Sequence, residues 1–476
     1  MVAKHSRTVE KKTSMVALSI MMVVVILSFM LMFMLTPTGL SRAGQRVLGI
    51  AVIAIGLWST ELLPIGVTAM LVVVTLMVSG GVSSFQEALI GFAKPVPYFL
   101  IAVLTIGLAV QKSGLAERIA RFFLRHGRGR PMALYTHLLA ALPLLTLLLP
   151  SSATRSGILV HVYEQALTLS NVPKTASLSK AIMMALNSIN RLASTAILTG
   201  GIVPMVAAAL VGGMSWSRWF VLMFAPYLAL IIFGAVLIYG IYRRGFSEKL
   251  SQVPFVNPEP FSKMEIRTIV ITLGASVLWL TDAFHHMNPS LPALLAWICL
   301  LSPGIGVLTW KEFERNIGWS NFFVIASSMS LAHALIKSGA GLWIANLLVR
   351  NIPTLSNYPL LVVVVLLFTS APIRLLIPNI TGFLAICIPI AMSIGASTGL
   401  NPIVCGLLVM IAGDAVLYYP AQAASSLVVY ERGYLTAAEI FRFGLLMTFV
   451  AFIVLLVIAL PYWSIVGEPL LQIVGR

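Results

Sequence analysis

The stretch "LLLPSSATRSGILV", Leu147–Val160, places a proline, three hydroxyls and an arginine in six consecutive residues of an apolar region. Hydrocarbon tolerates such a run only where protein or a water-filled cavity surrounds it. Pro150 lacks an N–H donor and breaks a helix. Ser151 and Ser152 are N-cap residue types that open a new one. About 18 apolar residues (132–149) lead in and about 14 (156–169) lead out, and the lead-out is short for a full crossing of about 20 residues. The spacing predicts a re-entrant hairpin, two half-helices meeting at a polar tip. Free N–H groups and positive potential at the second half-helix suit an anion. Arg155 adds an always-ionised guanidinium. For this motif alone a second reading stays open, a kinked span whose hydroxyls bond back to their own helix.

The motif has a partner. "LLIPNITGFLAICIPI", from Leu375, repeats the proline break and offers Asn379 as cap, the Thr381 hydroxyl, and Gly382 for close approach. Three further echoes follow in the same order: "GLWSTELLPIG" from Gly56 with "VLWLTDAFHHM" from Val277, "AVQKSGLAERIA" from Ala109 with "ALIKSGAGLWIA" from Ala334, and "GGMSWSRWF" from Gly212 with "RGYLTAAEIF" from Arg432. Offsets stay near 220–230 residues. Four weak matches in one order make an internal repeat. Two inverted tips meeting at mid-membrane would clamp a ligand with two anionic ends, because a charge within a span marks function by default.

Composition fixes the solvent. Of 476 residues, 59% are hydrophobic and 10% charged, against about 25% charged in soluble domains. The chain is read as an all-α polytopic membrane protein, since a barrel would show short alternating segments. The net charge of +16 is read as topogenic. Basic residues cluster between spans and form no aromatic-interleaved nucleic-acid surface. Cys299, Cys387 and Cys405 lie in apolar segments without metal spacing. No phosphate-binding glycine motif or converging set of catalytic side chains occurs, so neither a pump driven by nucleotide nor an enzyme is expected.

Basic residues crowd Lys4–Lys12, Arg118–Arg130, Lys174 and Lys180, Arg243–Arg267, and Lys311 with Arg315. Placing all of these inside sends the first KSG segment to one face and the second to the other. The halves are then inverted, as in secondary transporters whose site lies at the repeat interface. The expected architecture has about 11 transmembrane helices. A cytoplasmic N-terminus (1–14) and a first span (15–36) precede the first repeat (42–242), with its hairpin about 132–169 and broken helix about 178–212. A cytoplasmic linker (243–266) leads to the second repeat (267–465), with its hairpin about 358–396 and broken helix about 402–431, and a tail (466–476). After each KSG an amphipathic segment is expected at the interface, with Ile119, Phe122 and Phe123 apolar and Arg118, Arg121 and Arg125 at helical spacing.

At Pro150–Arg155, at Asn379 and Thr381, at "STAILTGGIVP" (194–204) and at "VVYERGYLTAAEIFRFGLL" (428–446), the chain resembles the divalent anion:sodium symporter family. It is nearest in pattern to the branch of citrate/succinate and oxoglutarate/malate translocators. The resemblance implies a homodimeric elevator transporter of small di- or tricarboxylates or related anions in a bacterial cytoplasmic (inner) membrane, without a bound cofactor. It also implies substrate contacts from Ser151, Ser152, Thr154, Arg155, Asn379, Thr381 and Gly382, and from Thr199, Pro204, Pro420 and Gln422 in the broken helices. Coupling-ion candidates are Asp414, Asn190 and Asn379, for Na+ or H+. Ser152 and Ala153 replace the family's Asn and Thr, and Val203-Pro204-Met205 and Ala424-Ser425-Ser426 replace its polar turns. These losses turn the reading away from sodium and toward exchange or proton coupling. Asp414 is read either as a proton carrier with a burial-raised pKa or as the partner of Arg155, Arg191 or Arg374. A cation/proton antiporter on a related fold is the alternative.

Overall fold

The computed structural model describes residues 2–60, 62–126, 130–149, 151–212, 214–247, 260–351 and 358–471, and among them no strand forms. Pro150, Arg128, much of the linker and the end of the tail lie outside the described residues, as do the side chains of Lys4–Lys12, Arg125 and Arg350.

One helix, α1 (Val2–Phe33), precedes two repeats. The first runs α2 (Arg42–Thr60), α3 (Ile65–Val78), a short α4 (Phe85–Ala88), α5 (Pro95–Ser113) and α6 (Leu115–His126). A hairpin of α7 (Pro131–Leu148) and α8 (Ser152–Leu169) follows, then a broken helix of α9 (Ser177–Met184), α10 (Asn190–Thr195) and α11 (Ile202–Leu210), then α12 (Trp216–Tyr242). The second repeat has the same order. It runs α13 (Lys263–Leu280), α14 (Asp282–His285), α15 (Ser290–Leu301), a short α16 (Trp310–Asn316), α17 (Trp319–Lys337) and α18 (Ala340–Asn351). Its hairpin is α19 (Pro359–Leu376) with α20 (Ile380–Ser397), its broken helix α21 (Pro402–Asp414) with α22 (Ala424–Tyr430), and its last helix α23 (Ala437–Val454) continuing into α24 (Leu460–Ile465).

Among the described residues, eight helices are at least 18 residues long and apolar enough to span a bilayer, and four more apolar helices are shorter. When each hairpin returns to its own face and each broken helix counts as one crossing, a repeat crosses five times. An odd number inverts the second repeat, and α1 brings the total to eleven.

Peripheral α1 presents Met22, Ile26, Phe29 and Phe33 outward, as lipid contact requires. It meets α2 at small residues, where the Ser28 hydroxyl donates to the Gly49 carbonyl at 2.8 Å. Such small-residue seams let helices approach closely in lipid. The repeats interlock: α3 packs on α17 and α15 on α5. Each KSG lysine crosses to the other repeat. Lys112 binds Glu312 at 2.7 Å and Lys337 binds Glu87 at 2.8 Å. Each glutamate sits three residues after its helix N-cap, Ser84 or Thr309, whose side chain accepts from its N–H. The glycines after the KSG serines, Gly114 and Gly339, adopt φ of +80° and +72°, a left-handed turn that favours glycine and redirects the chain into α6 and α18. α6 places Ile119 and Phe123 against the main apolar core, and its Arg118 reaches Glu265 at the start of α13 at 2.6 Å.

Candidate functional site

Both tips are capped as helix starts. The Ser151 hydroxyl accepts from the Thr154 N–H at 3.2 Å. The Asn379 side-chain Oδ1 accepts from the Thr381 and Gly382 N–H groups at 2.9 and 3.4 Å. Ser151, Ser152, Thr154 and Asn379 are half-buried, whereas Thr381 and Gly382 are buried.

An arginine bolts each tip to the broken helix of its own repeat. Arg155 is 0% exposed. Its Nε donates to Asn190 Oδ1 at 2.8 Å and Nη2 to the Asn190 carbonyl at 3.1 Å, with further bonds to the Leu149 carbonyl and the Ser194 hydroxyl. Asn190 answers by donating to the Ser152 carbonyl and the Ser156 hydroxyl, both at 2.9 Å. Arg374 is also 0% exposed. Its Nη1 donates to the carbonyls of Ile377 and Pro378 at 2.5 and 2.9 Å, and its Nε to Gly413 at 3.1 Å. Arg155 follows its tip and Arg374 precedes its own, so the same task falls to different repeat positions. Every atom they hydrogen-bond is uncharged, and neither arginine forms an ion pair among the described residues.

Asp414 ends α21 and meets the other broken helix. Arg191 Nη1 binds its Oδ1 at 2.8 Å, the Thr195 hydroxyl donates to its Oδ2 at 2.7 Å, and Tyr227 of α12 donates to Oδ2 at 2.9 Å. Arg191 also donates to the Val416 carbonyl at 3.1 Å. Of the partners weighed for Asp414, the structure selects Arg191, and Arg155 lies with Asn190 and Ser194 instead. Residues 185–189 form one wide π-helical turn before Asn190, a local feature frequent at functional sites.

The breaks are less exposed to a ligand than the tips. Thr199 is buried and its hydroxyl accepts from the Trp216 indole at 3.4 Å. Gln422 uses both ends of its amide, accepting from the Tyr418 N–H at 2.7 Å and donating to the Arg374 carbonyl at 2.9 Å. Pro204 lies within α11, and Pro420 starts a single 3₁₀ turn. Gly200 lies against its own chain, because a Cβ there would sit 2.1 Å from the Ser194 carbonyl oxygen.

The structure therefore assembles two clusters: Ser151–Arg155 with Asn190, and Asn379–Gly382 with Arg374 and Gln422. They join through Arg191, Thr195 and Asp414, and no hydrogen bond runs directly from tip to tip among the described residues. Ser194 and Thr195, at the start of the 194–204 stretch, and Tyr227 have no role legible in the sequence until a neighbour places them. A cavity of about 660 Å³ reaches the first tip at Ala153 and Thr154 and continues past Gly157, His161 and Glu117 to Arg432. Charge defines what the centre can hold. Arg155, Arg191 and Arg374 against Asp414 leave two positive charges in excess among the buried residues of the hairpins and broken helices.

A polytopic helical protein with inverted repeats, paired re-entrant hairpins and cationic tips has the design of a secondary transporter. The description "Sodium:sulfate symporter transmembrane region" matches residues 12–468, and the chain belongs to that family. A protein of Bacillus subtilis, provisionally named the malate transporter YflS, is 21% identical over 475 residues, covering 96% of this chain and 98% of its own. The L-tartrate/succinate antiporter of Escherichia coli is 24% identical over 405 residues, 80% of each chain. The crystal structure of the YdaH transporter of Alcanivorax borkumensis shares the fold, with a TM-score of 0.55 at 14% identity, covering 91% of this chain and all of the other. The family is one of transporters rather than enzymes.

Proposed function

We propose that the protein exchanges small organic dianions across the membrane, with dicarboxylates such as malate, succinate or tartrate as the substrate class, tricarboxylates such as citrate beyond it, and no obligatory sodium. The carrying observation is the excess of two buried positive charges. A buried unpaired charge costs several kcal/mol, of order, unless a partner arrives. A dianion at the tips supplies that partner, and two cationic sites match its two ends. Ser151, Ser152, Thr154, Asn379 and Thr381 supply neutral donors and helix N–H groups around it. Thr199, Pro204, Pro420 and Gln422 shape the floor, and Gly382, on which Trp58 sits in this structure, permits close approach once that ring leaves.

The names of the relatives support this class. The family description supports sodium as coupling ion, whereas the arginine charges fixed beside Asn190 and Gly413 supply positive charge without one. The alternative, a cation/proton antiporter working through Asp414, is disfavoured, because three donors already hold that carboxylate. The remaining features follow the same reading. The hairpins and broken helices move as one unit in an elevator stroke, two copies form a dimer, and the N-terminus lies on the cytoplasmic side of a bacterial inner membrane.

Counterflow of labelled succinate into malate-loaded proteoliposomes tests the proposal, in sodium and in choline buffers. Equal counterflow in both is expected. Movement of no anion overturns the function, and an absolute sodium requirement replaces exchange by symport. Proton flux without any organic anion would favour the antiporter.

A further inference from the structure

The two hairpins are equivalent in the repeat but not in their surroundings. α20 of the second hairpin packs on α17, α18 and α2, and its Ile386 joins an apolar cluster with Trp58, Val47, Leu331 and Leu335. α8 of the first hairpin packs on α6 and α22. Between α8 and α5, the counterpart of α17, lies the cavity, with Gln111 and Gly114 on one wall and Ala153 and Gly157 on the other. Among the described residues, the second tip is packed shut against α2, α17 and α18, and the first tip borders an open cavity.

Trp58, near the end of α2, stands at the shut side. It is 1% exposed. A Cβ on Gly382 would lie 2.5 Å from Trp58 Cε3, 2.9 Å from Cζ3 and 3.3 Å from Cδ2, so the indole face rests on the bare backbone of the second tip. Its Nε1 is buried without a hydrogen-bond partner; shape alone seats the ring. One residue on, the Ser59 hydroxyl donates to the Leu376 carbonyl of the same tip at 3.1 Å. At the first tip Thr154 stands where Gly382 stands in the second, and it lines the open cavity.

We propose that Trp58 is the seal of the closed side. Seated on Gly382, it holds the state in which the first tip is open, and the second tip must slide off the ring before the site opens on the opposite face. Trp58 is thus a positioning residue for alternating access, and the missing side chain at Gly382 is its seat. This inference rests on the elevator reading above. A methyl group at Gly382 overpacks the contact and shifts the population away from the seated state.

Labelling of a Gln111→Cys thiol by a membrane-impermeant maleimide, with Cys299 changed to Ser, reads the open population, because Gln111 is exposed on the cavity wall. Gly382→Ala is expected to slow labelling at least about fivefold through that shift. Trp58→Ala is expected to slow it in the same direction, and Trp58→Phe, which keeps a flat ring, to leave it near the wild-type rate. In the Trp58→Ala background Gly382→Ala should add nothing, because the two changes remove one contact. Equal slowing by Gly382→Ala with and without Trp58 overturns the proposal, and so does a Trp58→Ala protein that labels like wild type. Unfolding is read separately from buried Cys387 and Cys405, which then also label. If wild-type labelling ignores saturating succinate and no counterflow occurs, the functional reading fails instead.

Discussion

Arg191 in the first broken helix is ion-paired at 2.8 Å with Asp414 at the break of the second, where α21 ends, and both side chains are buried. The two broken helices share no other ion pair among the described residues, and this pair, with Thr195 and Tyr227, fixes how the repeats meet beneath the tips. Removing one partner strands the other. Asp414→Asn or Arg191→Met should destabilise the protein by about 3–5 kcal/mol, whereas the double replacement by apolar residues should recover much of that loss. Thermal unfolding in detergent checks it. An Asp414→Asn protein as stable as wild type, with altered pH dependence of transport, would return Asp414 to proton coupling.

The crossed lysine latches make a second expectation. The Lys112 ammonium, then the Thr309 backbone and hydroxyl, hold the Glu312 carboxyl down to about 2 from an ordinary 4.5. Lys337, then the Ser83 hydroxyl, does the same for Glu87. A depressed folded-state pKa contributes stability above the unfolded value and loses it as pH falls. Melting temperature should therefore decline from about pH 4.5 to about pH 2 on account of these groups. Lys112→Met with Lys337→Met should flatten that part of the profile and lower the plateau above it. The pairs are partly exposed, so added salt should weaken the effect.

How much of this was legible depends on whether the signal was local. Ser151 and Asn379 were readable as caps because a cap is a residue type beside a proline break. The crossing pattern was readable from apolar runs and echoed motifs. Ser84-x-x-Glu87 and Thr309-x-x-Glu312 carry capping-box spacing and are separated by the same offset as Lys112 and Lys337. Their pairing across repeats, however, needs the interlocked packing of α3 with α17 and α5 with α15. Arg155 was visible as an anomaly, yet its partners Asn190 and Ser194 lie 35 and 39 residues away, and no periodicity selects them. Tyr227 carried no signal, and Trp58 only its place in the repeat echo with Trp279, since an aromatic residue in an apolar span is ordinary core until its neighbour is known.

Arg155 separates charge from geometry. Its forked guanidinium reaches the Leu149 carbonyl, the Asn190 side chain and carbonyl, and Ser194 together, which a single ammonium does not reproduce. Arg155→Lys keeps the charge and loses the fork. Counterflow should fall at least about tenfold in maximal rate with a smaller change in KM, because the tip is misplaced while the anion still meets a cation. Asn190→Ala, which removes the amide that joins Arg155 to the Ser152 carbonyl, should produce the same split. A selective rise in KM for either variant would instead place its side chain directly on the substrate.

Arg374 tests the charge count itself. Arg374→Met removes one of the two excess charges, and Arg374→Lys keeps it while loosening the bonds to Ile377, Pro378 and Gly413. If a dianion is selected by two unpaired cations, Arg374→Met should bind succinate at least about tenfold more weakly, a loss of about 1.4 kcal/mol, and lose its preference over a monocarboxylate of the same length. Arg374→Lys should keep the preference at reduced rate. Competition of unlabelled succinate and butyrate against labelled succinate reads both quantities. Equal preference in the two variants would show that the neutral donors of Ser151, Asn379 and Thr381, and not the guanidinium charge, choose the anion.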